Sequence, residues 1–485
     1  MRGDTDRAGA RLSFDFLGVR PPEPTLGGRL IAVSNRVARP RKGAAPGGLA
    51  LALSDALAAG GGTWVGWSGN HVPKGGEGEF TAERHGRVDY ALLDIERAAF
   101  EGFYEGYANG VLWPTFHNRT DLAVRRGDAY AAYTAVNRSF AEAVARVAAP
   151  DDLVWVHDYH FLLLAGALRD LGLTNPVGLF LHIPFPHVET FRTLPEAETI
   201  ARALVAYDAI GVQTRRDARN LSECLAALGE GTVTKRPDGF EVAAFGGSVR
   251  VSALPIGIDV DALRRVLAAP APREVRAFRD SLEGRRALAG VDRLDYSKGL
   301  PQKLEAFYAW LSDDPQRART AVLTQVAPIS RGGVRAYAET RRELETIAGR
   351  IAGEFGTLSM SPLRLVTRAY DRAHVAHLLA ASDVGLVTPM ADGMNLVAKE
   401  FVAAQDDADP GVLVLSEFAG AAEMMTDALI VNPHDIDGMA AAIERALSMP
   451  LAERRERHRS LMEVVAATDV RLWTACCLAK LAESV

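Results

Sequence analysis

Short apolar runs alternate with amphipathic stretches along most of the chain, and the alternation begins at Leu30–Ser34 (LIAVS). That run predicts a strand closed by polar Asn35 and Arg36. A Gly/Pro-rich loop over Arg41–Gly48 follows, and then Leu49–Ala59 (LALALSDALAA) reads as a helix stopped by three glycines at 60–62. Further along, Leu153–Val156, Val177–Leu181 and Ala209–Val212 predict strands, separated by helices over Phe161–Leu171 and Glu196–Val205. Fully apolar strands alternating with helices imply a parallel sheet covered on both faces.

At Leu254–Asp259 (LPIGID) the pattern pauses, and a charged helical stretch is predicted over Asp261–Glu283. A second series starts there. Its strands are Leu288–Val291, Ala321–Gln325, Leu363–Val366, Val384–Val387, Val412–Leu415 and Leu429–Val431. Its helices begin at Leu300 and run over Val334–Ile351, Arg372–Ala381, Asn395–Ala404 and Gly438–Leu447. Residues 1–28 show no sustained period and read as an extension. The expected architecture is α/β, two doubly wound Rossmann-like units over residues 29–256 and 257–460, with residues 461–485 forming a helix that packs back on the first unit. Doubly wound units hold ligands at the carboxyl ends of their strands, which places a cleft between the two.

Composition narrows this picture. A chain of 485 residues exceeds one ordinary core. With 48% hydrophobic and 24% charged residues it has the make-up of a soluble enzyme, and a net charge of −6 exerts no general pull on nucleic acid. No apolar run is long enough to span a membrane, and the N-terminus lacks a signal-type apolar segment, so a cytoplasmic protein is expected. Cys224, Cys476 and Cys477 suit neither a disulfide framework nor a zinc site.

The candidate chemistry lies at strand ends. Asp392–Glu400 (DGMNLVAKE) follows a strand and opens a helix, so the amides of Gly393–Leu396 are available to phosphate or sugar oxygens. Glu400, two turns along, reaches a ribose diol; a plain capped helix with Asp392 as N-cap is the competing reading. Arg293 and Lys298 in VDRLDYSKGL follow another strand and suit a diphosphate leaving group, with a solvated charged loop as the competing reading; Arg331, in APISRGG, is a third cation after a strand end, with a surface residue as its competing reading. In the first unit, Ser34–Arg36 and the glycines Gly47 and Gly48 flank one βα connection. Tyr104 and Trp113 are aromatics suited to a sugar ring or to core packing. Asp158 in HDYH and His182 in FLHIPFP end two further strands. The HDYH histidines lack a third neighbouring ligand, and HExxH and strand-end DxD patterns are missing, so no obligatory metal is expected.

In order, the chain carries SNR, a GG pair, GTWVGWSG, GVLWPTFH, HDYH, FLHIPFP, VDRLDYSKGLP, APISRG, TPMADGMNLVAKEF, VLVLSEFAGAAE and ALIVNP. Over residues 29–480 this series closely resembles the trehalose-6-phosphate synthase family, retaining GT-B enzymes of glycosyltransferase family 20. The resemblance implies transfer of glucose from UDP-glucose to glucose 6-phosphate by front-face substitution, with no cofactor. It implies that Arg36 and Arg331 hold the acceptor phosphate and that Tyr104, Trp113 and Asp158 line the acceptor site. Gly47 and Gly48 would approach the donor diphosphate, Arg293 and Lys298 would neutralise it, Leu396, Val397 and Glu400 would hold the nucleoside, and Asn395 would also bind the donor. His182 and Asp392 would grip the donor glucose, with Tyr370 near the base. A homo-oligomer such as a tetramer is also implied, without nucleic-acid or membrane partners. Ala391, Tyr370 and His187 differ from the family's pattern, where Arg, Phe and Thr or Ser are common. GDP- or ADP-glucose as donor, and glycerol 3-phosphate as acceptor in a glucosylglycerol-phosphate synthase, are the alternative substrates.

Overall fold

Strand β1 (Leu30–Arg36) is buried over its first five residues, Leu30 to Ser34, and emerges only at Asn35 and Arg36. Such a strand must be flanked on both edges and both faces, and it is. The computed structural model, which describes residues 28–37, 53–54, 56–57, 60–73, 80–330 and 335–483, sets β1 between β2 (Gly62–Val72) and β5 (Leu153–His157), parallel to both. Outward from β2 lie β4 (Val88–Glu96) and then β3 (Phe80–His85); from β5 the sheet continues through β6 (Val177–Phe180) and β7 (Ala209–Val212). A meander of β10 (Gly247–Ala253), β9 (Gly239–Ala244) and β8 (Thr232–Arg236) completes ten strands. Parallel pairing runs from β4 to β10, whereas β3 and the two outermost strands β9 and β8 are antiparallel. The first sheet is therefore wider than the alternation predicted, and mixed at both ends.

The second sheet is wholly parallel in the order β13 (Leu363–Val366), β12 (Ala321–Val326), β11 (Arg286–Val291), β14 (Val384–Val387), β15 (Val412–Ser416) and β16 (Leu429–Val431). The charged stretch expected as one helix over 261–283 is two, Val260–Ala268 and Arg273–Asp280. Pro270 and Pro272 separate them, since a proline supplies no amide to continue the first helix. Most of the helix expected over 49–59 lies outside the described residues.

Two crossings join the units. The first is the Leu254–Asp259 segment. The second is the break at Thr468–Asp469 between helices Leu451–Ala467 and Val470–Ala482, so the former runs past residue 461 before the chain turns back. The crossings touch: a Cβ on Gly257 would stand 1.5 Å from the Thr468 carbonyl oxygen. Lys399, buried in helix Leu396–Ala404, binds both, donating from Nζ to Ile256 O (2.8 Å) and Thr468 Oγ1 (3.3 Å). Beyond the second crossing, Trp473 packs edge-on against Phe180 (4.9 Å between centroids) and against Trp155 (5.3 Å) of the first sheet. Among the described residues no helix is long and apolar enough to cross a membrane.

Candidate active site

The loop after β11 is built on a buried carboxylate. Asp295 accepts from the amide and hydroxyl of Ser297 (3.0 Å each) and from the Tyr337 hydroxyl (3.1 Å). Gly299 then adopts φ 63°, where a Cβ would be strained and would meet the Thr388 carbonyl oxygen at 2.4 Å. This tight turn aims Lys298 across to the neighbouring loop, and its Nζ donates to Asp392 Oδ2 at 2.5 Å, with both side chains largely buried.

Asp392 is held in turn. Its amide donates to Phe418 O (3.1 Å), its carbonyl accepts from Gly420 N (3.0 Å), and it bridges to Ala419. Asn395 takes a left-handed φ of 71° before helix Leu396–Ala404, and its side-chain oxygen is buried with no protein partner. That conformation is tolerated by Asn better than by most residues. Leu396 and Val397 occupy the first turn, half-buried. Burial raises the Glu400 carboxyl above its ordinary value, and nearby Arg372 opposes the rise.

The first unit meets this group from the other side. Its segment Glu101–Leu112 is a π-helix that continues into Trp113–Phe116. Trp113 receives the Arg293 guanidinium at 5.7 Å from its ring centroid, and Arg119 reaches Tyr296 in the same way at 5.9 Å. His117 packs at a tilt against Trp113 (4.2 Å between centroids) and pairs through Nδ1 with its carbonyl (2.7 Å). Burial lowers the His117 pKa to about 4, against the raising effect of Asp295. Asp158 follows β5 with φ 76°, and its Oδ1 accepts from the His182 amide (3.3 Å). His182 lies 3.4 Å from His157 and in front of Trp473, and burial takes its pKa to about 3. The units nearly touch here: a Cβ on Gly393 would come within 2.1 Å of the His182 carbonyl oxygen.

Arg36 and Tyr104 form a second group. Arg36 lies over Trp67 (5.0 Å), Trp67 stacks on Phe100 (4.1 Å), Phe100 on Tyr104 (5.2 Å) and Tyr104 on His160 (5.7 Å). The row connects through Tyr159 to Trp113 (5.5 Å).

The structure thus brings Asp158, His182, Trp113, Arg293, Lys298 and Asp392 to one cleft, with Arg36 and Tyr104 on an adjoining aromatic row. Gly47, Gly48 and Arg331 lie outside the described residues, although Ser330 immediately before Arg331 donates to Leu294 O (2.9 Å). Tyr370 donates its hydroxyl to Glu274 of helix Arg273–Asp280 (2.5 Å), and its ring lies under Arg368 (4.5 Å). His117, Arg119 and Asp295 were not singled out in the sequence. His117 and Asp295 sit inside motifs quoted above, GVLWPTFH and VDRLDYSKGL, and Arg119 stands two residues past the first, which was the available signal.

The arrangement can hold a large anion against a pair of cations while neutral histidines and aromatic rings shape an adjoining polar pocket. The family model described as glycosyltransferase family 20 matches residues 35–483. A trehalose-6-phosphate synthase of Citrobacter koseri is 43% identical over 447 residues, covering 92% of this chain and 93% of the relative. That of Escherichia coli K12 is 42% identical over 459 residues, covering 94% and 96%. Among solved structures, the E. coli protein bound with UDP-2-fluoro glucose superposes with a TM-score of 0.89 at 42% identity, covering 94% of this chain and 99% of that one. An α,α-trehalose-phosphate synthase (UDP-forming) from Burkholderia xenovorans in complex with glucose-6-phosphate also gives 0.89, at 41% identity, covering 94% and 100%.

Proposed function

We propose, since this chain belongs to glycosyltransferase family 20, that it transfers glucose from UDP-glucose to the anomeric hydroxyl of glucose 6-phosphate with retention, forming α,α-trehalose 6-phosphate and UDP. The observation that carries this reading is the Lys298–Asp392 pair and Arg293 of the second unit facing Trp113 of the first across the cleft. Two cations meet the diphosphate, whose charge grows as the bond from glucose C1 to the phosphate oxygen breaks. Asp392 keeps Lys298 in place and takes a donor hydroxyl as acceptor. The acceptor oxygen bonds to C1 on the face the diphosphate leaves, and its proton passes to a departing phosphate oxygen. Asp158, Tyr104 and Trp113 orient the acceptor ring, and Arg36 with Arg331 hold its phosphate. Gly47 and Gly48 approach the donor diphosphate, while Leu396, Val397 and Glu400 hold the nucleoside and Asn395 also binds the donor. His182, neutral because it is buried, contacts a donor hydroxyl.

Catalysis on this reading rests on positioning and fixed charge. Arg293 and Lys298 supply what a divalent cation supplies elsewhere, so the reaction needs no added metal and proceeds undiminished in chelator. The reading includes a cytoplasmic homo-oligomer. The test is to incubate the protein with glucose 6-phosphate and each of UDP-, GDP- and ADP-glucose, following nucleoside diphosphate release, with glycerol 3-phosphate as a second acceptor. Release with UDP-glucose and glucose 6-phosphate is expected. No release with any pair would overturn the assignment, and preference for glycerol 3-phosphate would replace the acceptor.

A further inference from the structure

Helix Arg215–Leu228 of the first unit opens at the junction of the two units, and its first turn is bonded to both. Thr214 caps it, accepting from the Asp217 amide (3.0 Å) and donating to Asp217 Oδ2 (2.5 Å). The other oxygen of this buried carboxylate accepts from the Phe185 amide (3.0 Å), and Asn220 Nδ2 donates to the Phe185 carbonyl (2.9 Å). Phe185 stands three residues past His182. The helix therefore holds the segment that carries His182, by one amide and one carbonyl.

Glu423 meets the same turn from the second unit. Its Oε2 accepts from the Arg215 amide (2.9 Å), one of the leading N–H groups that a helix cannot satisfy by itself, at the end where the helix dipole favours a negative charge. Glu423 closes the short turn Gly420–Glu423, and that turn is bonded to the Asp392 loop. Gly420 N donates to Asp392 O (3.0 Å) and Ala421 N to Met394 O (2.9 Å). The turn is also pressed between the units, since a Cβ on Gly420 would stand 1.7 Å from Gly393 O and 3.0 Å from Thr214 Cγ2. Gly393 in turn faces the His182 carbonyl. His182, Asp217, Glu423 and Asp392 thus lie on one closed ring of contacts that passes between the units at Gly393 and again at Glu423. Of these two passages, the first is bare backbone contact and the second is a charged hydrogen bond.

We propose that Glu423 is a positioning residue for glucose transfer: by holding the Arg215 amide it fixes how far Asp392 stands from His182, and so how tightly the pair grips the donor glucose. This rests on the reading that those two residues contact the donor sugar. UDP rests mainly on second-unit residues and is indifferent to that separation, whereas UDP-glucose is not. The full-length protein is titrated by calorimetry with UDP and with UDP-glucose, and kcat is measured with UDP-glucose and glucose 6-phosphate. In Glu423→Ala the Kd of UDP-glucose should rise about fivefold or more and kcat fall about tenfold or more, with the Kd of UDP within about twofold of the parent's. Glu423→Gln, which keeps the accepting oxygen, should recover most of the loss. Arg215→Pro deletes the same bond from the other unit: proline suits the first position of a helix, and Thr214 is already extended, as a residue before proline must be. It should reproduce the pattern relative to Arg215→Ala, which loses the side chain but keeps the amide. The two deletions lie on different units, so misfolding of one leaves the other as the test. Equal weakening of UDP and UDP-glucose, or parental constants in the folded deletions, overturns the proposal. A parent that binds UDP-glucose without transferring glucose fails the assigned reaction instead, and the two dissociation constants still decide the role of Glu423.

Discussion

Lys298 and Asp392, at 12% and 14% side-chain exposure, depend on each other more than a surface pair would. Removing either leaves the other charge unmatched in a poorly solvated place. Lys298→Ala and Asp392→Asn are each expected to lower kcat by about 10²–10³-fold in steady-state assays, the scale of losing one transition-state contact. The two buried histidines make a separate prediction. Their pKa values of about 4 for His117 and about 3 for His182 lie below the ordinary 6.5, so the folded state favours the neutral rings. Their contribution to stability is complete above 6.5 and is lost as pH falls from there toward 4 and 3, because the unfolded chain takes the protons first. The urea midpoint should fall between about pH 7 and pH 5, and His117→Gln should flatten part of that fall. Arg293, Lys298 and Asp392 were legible beforehand because each follows an apolar run that had to be a strand. His117 was not, since its setting comes from Asp295, Lys298 and Asp392, far along the chain. The bond from Tyr370 to Glu274 was hidden for the same reason, its partner lying on another helix.

Apolar runs reveal interior strands and conceal edges. All five residues of β8 (TVTKR) are exposed, and β3 is exposed after Phe80, so neither offers a run to detect. The interior strands β5, β6, β7, β12, β14 and β15, buried throughout, stood where the runs predicted them, whereas the interior β2, β4 and β10, whose burial is interrupted by exposed or half-buried positions, were missed. Loops at strand ends carry most of the geometry between the two units, and Gly393 is the tightest of these contacts. Gly393→Ala places a methyl against the His182 carbonyl, which neither backbone accommodates without moving. Since an ångström of misplacement is severe for a positioning site, kcat/KM should fall by about tenfold or more while far-UV circular dichroism stays that of the parent.

Both crossings between the units converge on Lys399, whose pKa burial lowers from 10.5 to about 7. A lysine depressed in this way binds its proton less readily folded than unfolded. Its burial therefore costs most below 7, and stability from this group rises as pH climbs from 7 to 10.5. Lys399→Met removes that slope along with two hydrogen bonds. The deficit in urea midpoint relative to the parent should be larger at about pH 9 than at about pH 7, and equal deficits would show that the ammonium is not strained by its setting. The return of the chain has one more consequence, for how the protein is made. Trp473 and Leu481 cover Trp155, Phe180 and Gly178, residues synthesised some three hundred positions earlier. A ribosome releases the first unit long before its last helix exists, so that unit waits with an uncovered apolar face while the second is translated. The second unit is in effect an insert, and the final helix acts as a late-arriving plug for which a chaperone, or a peptide spanning residues 468–483 supplied in trans, is the natural stand-in.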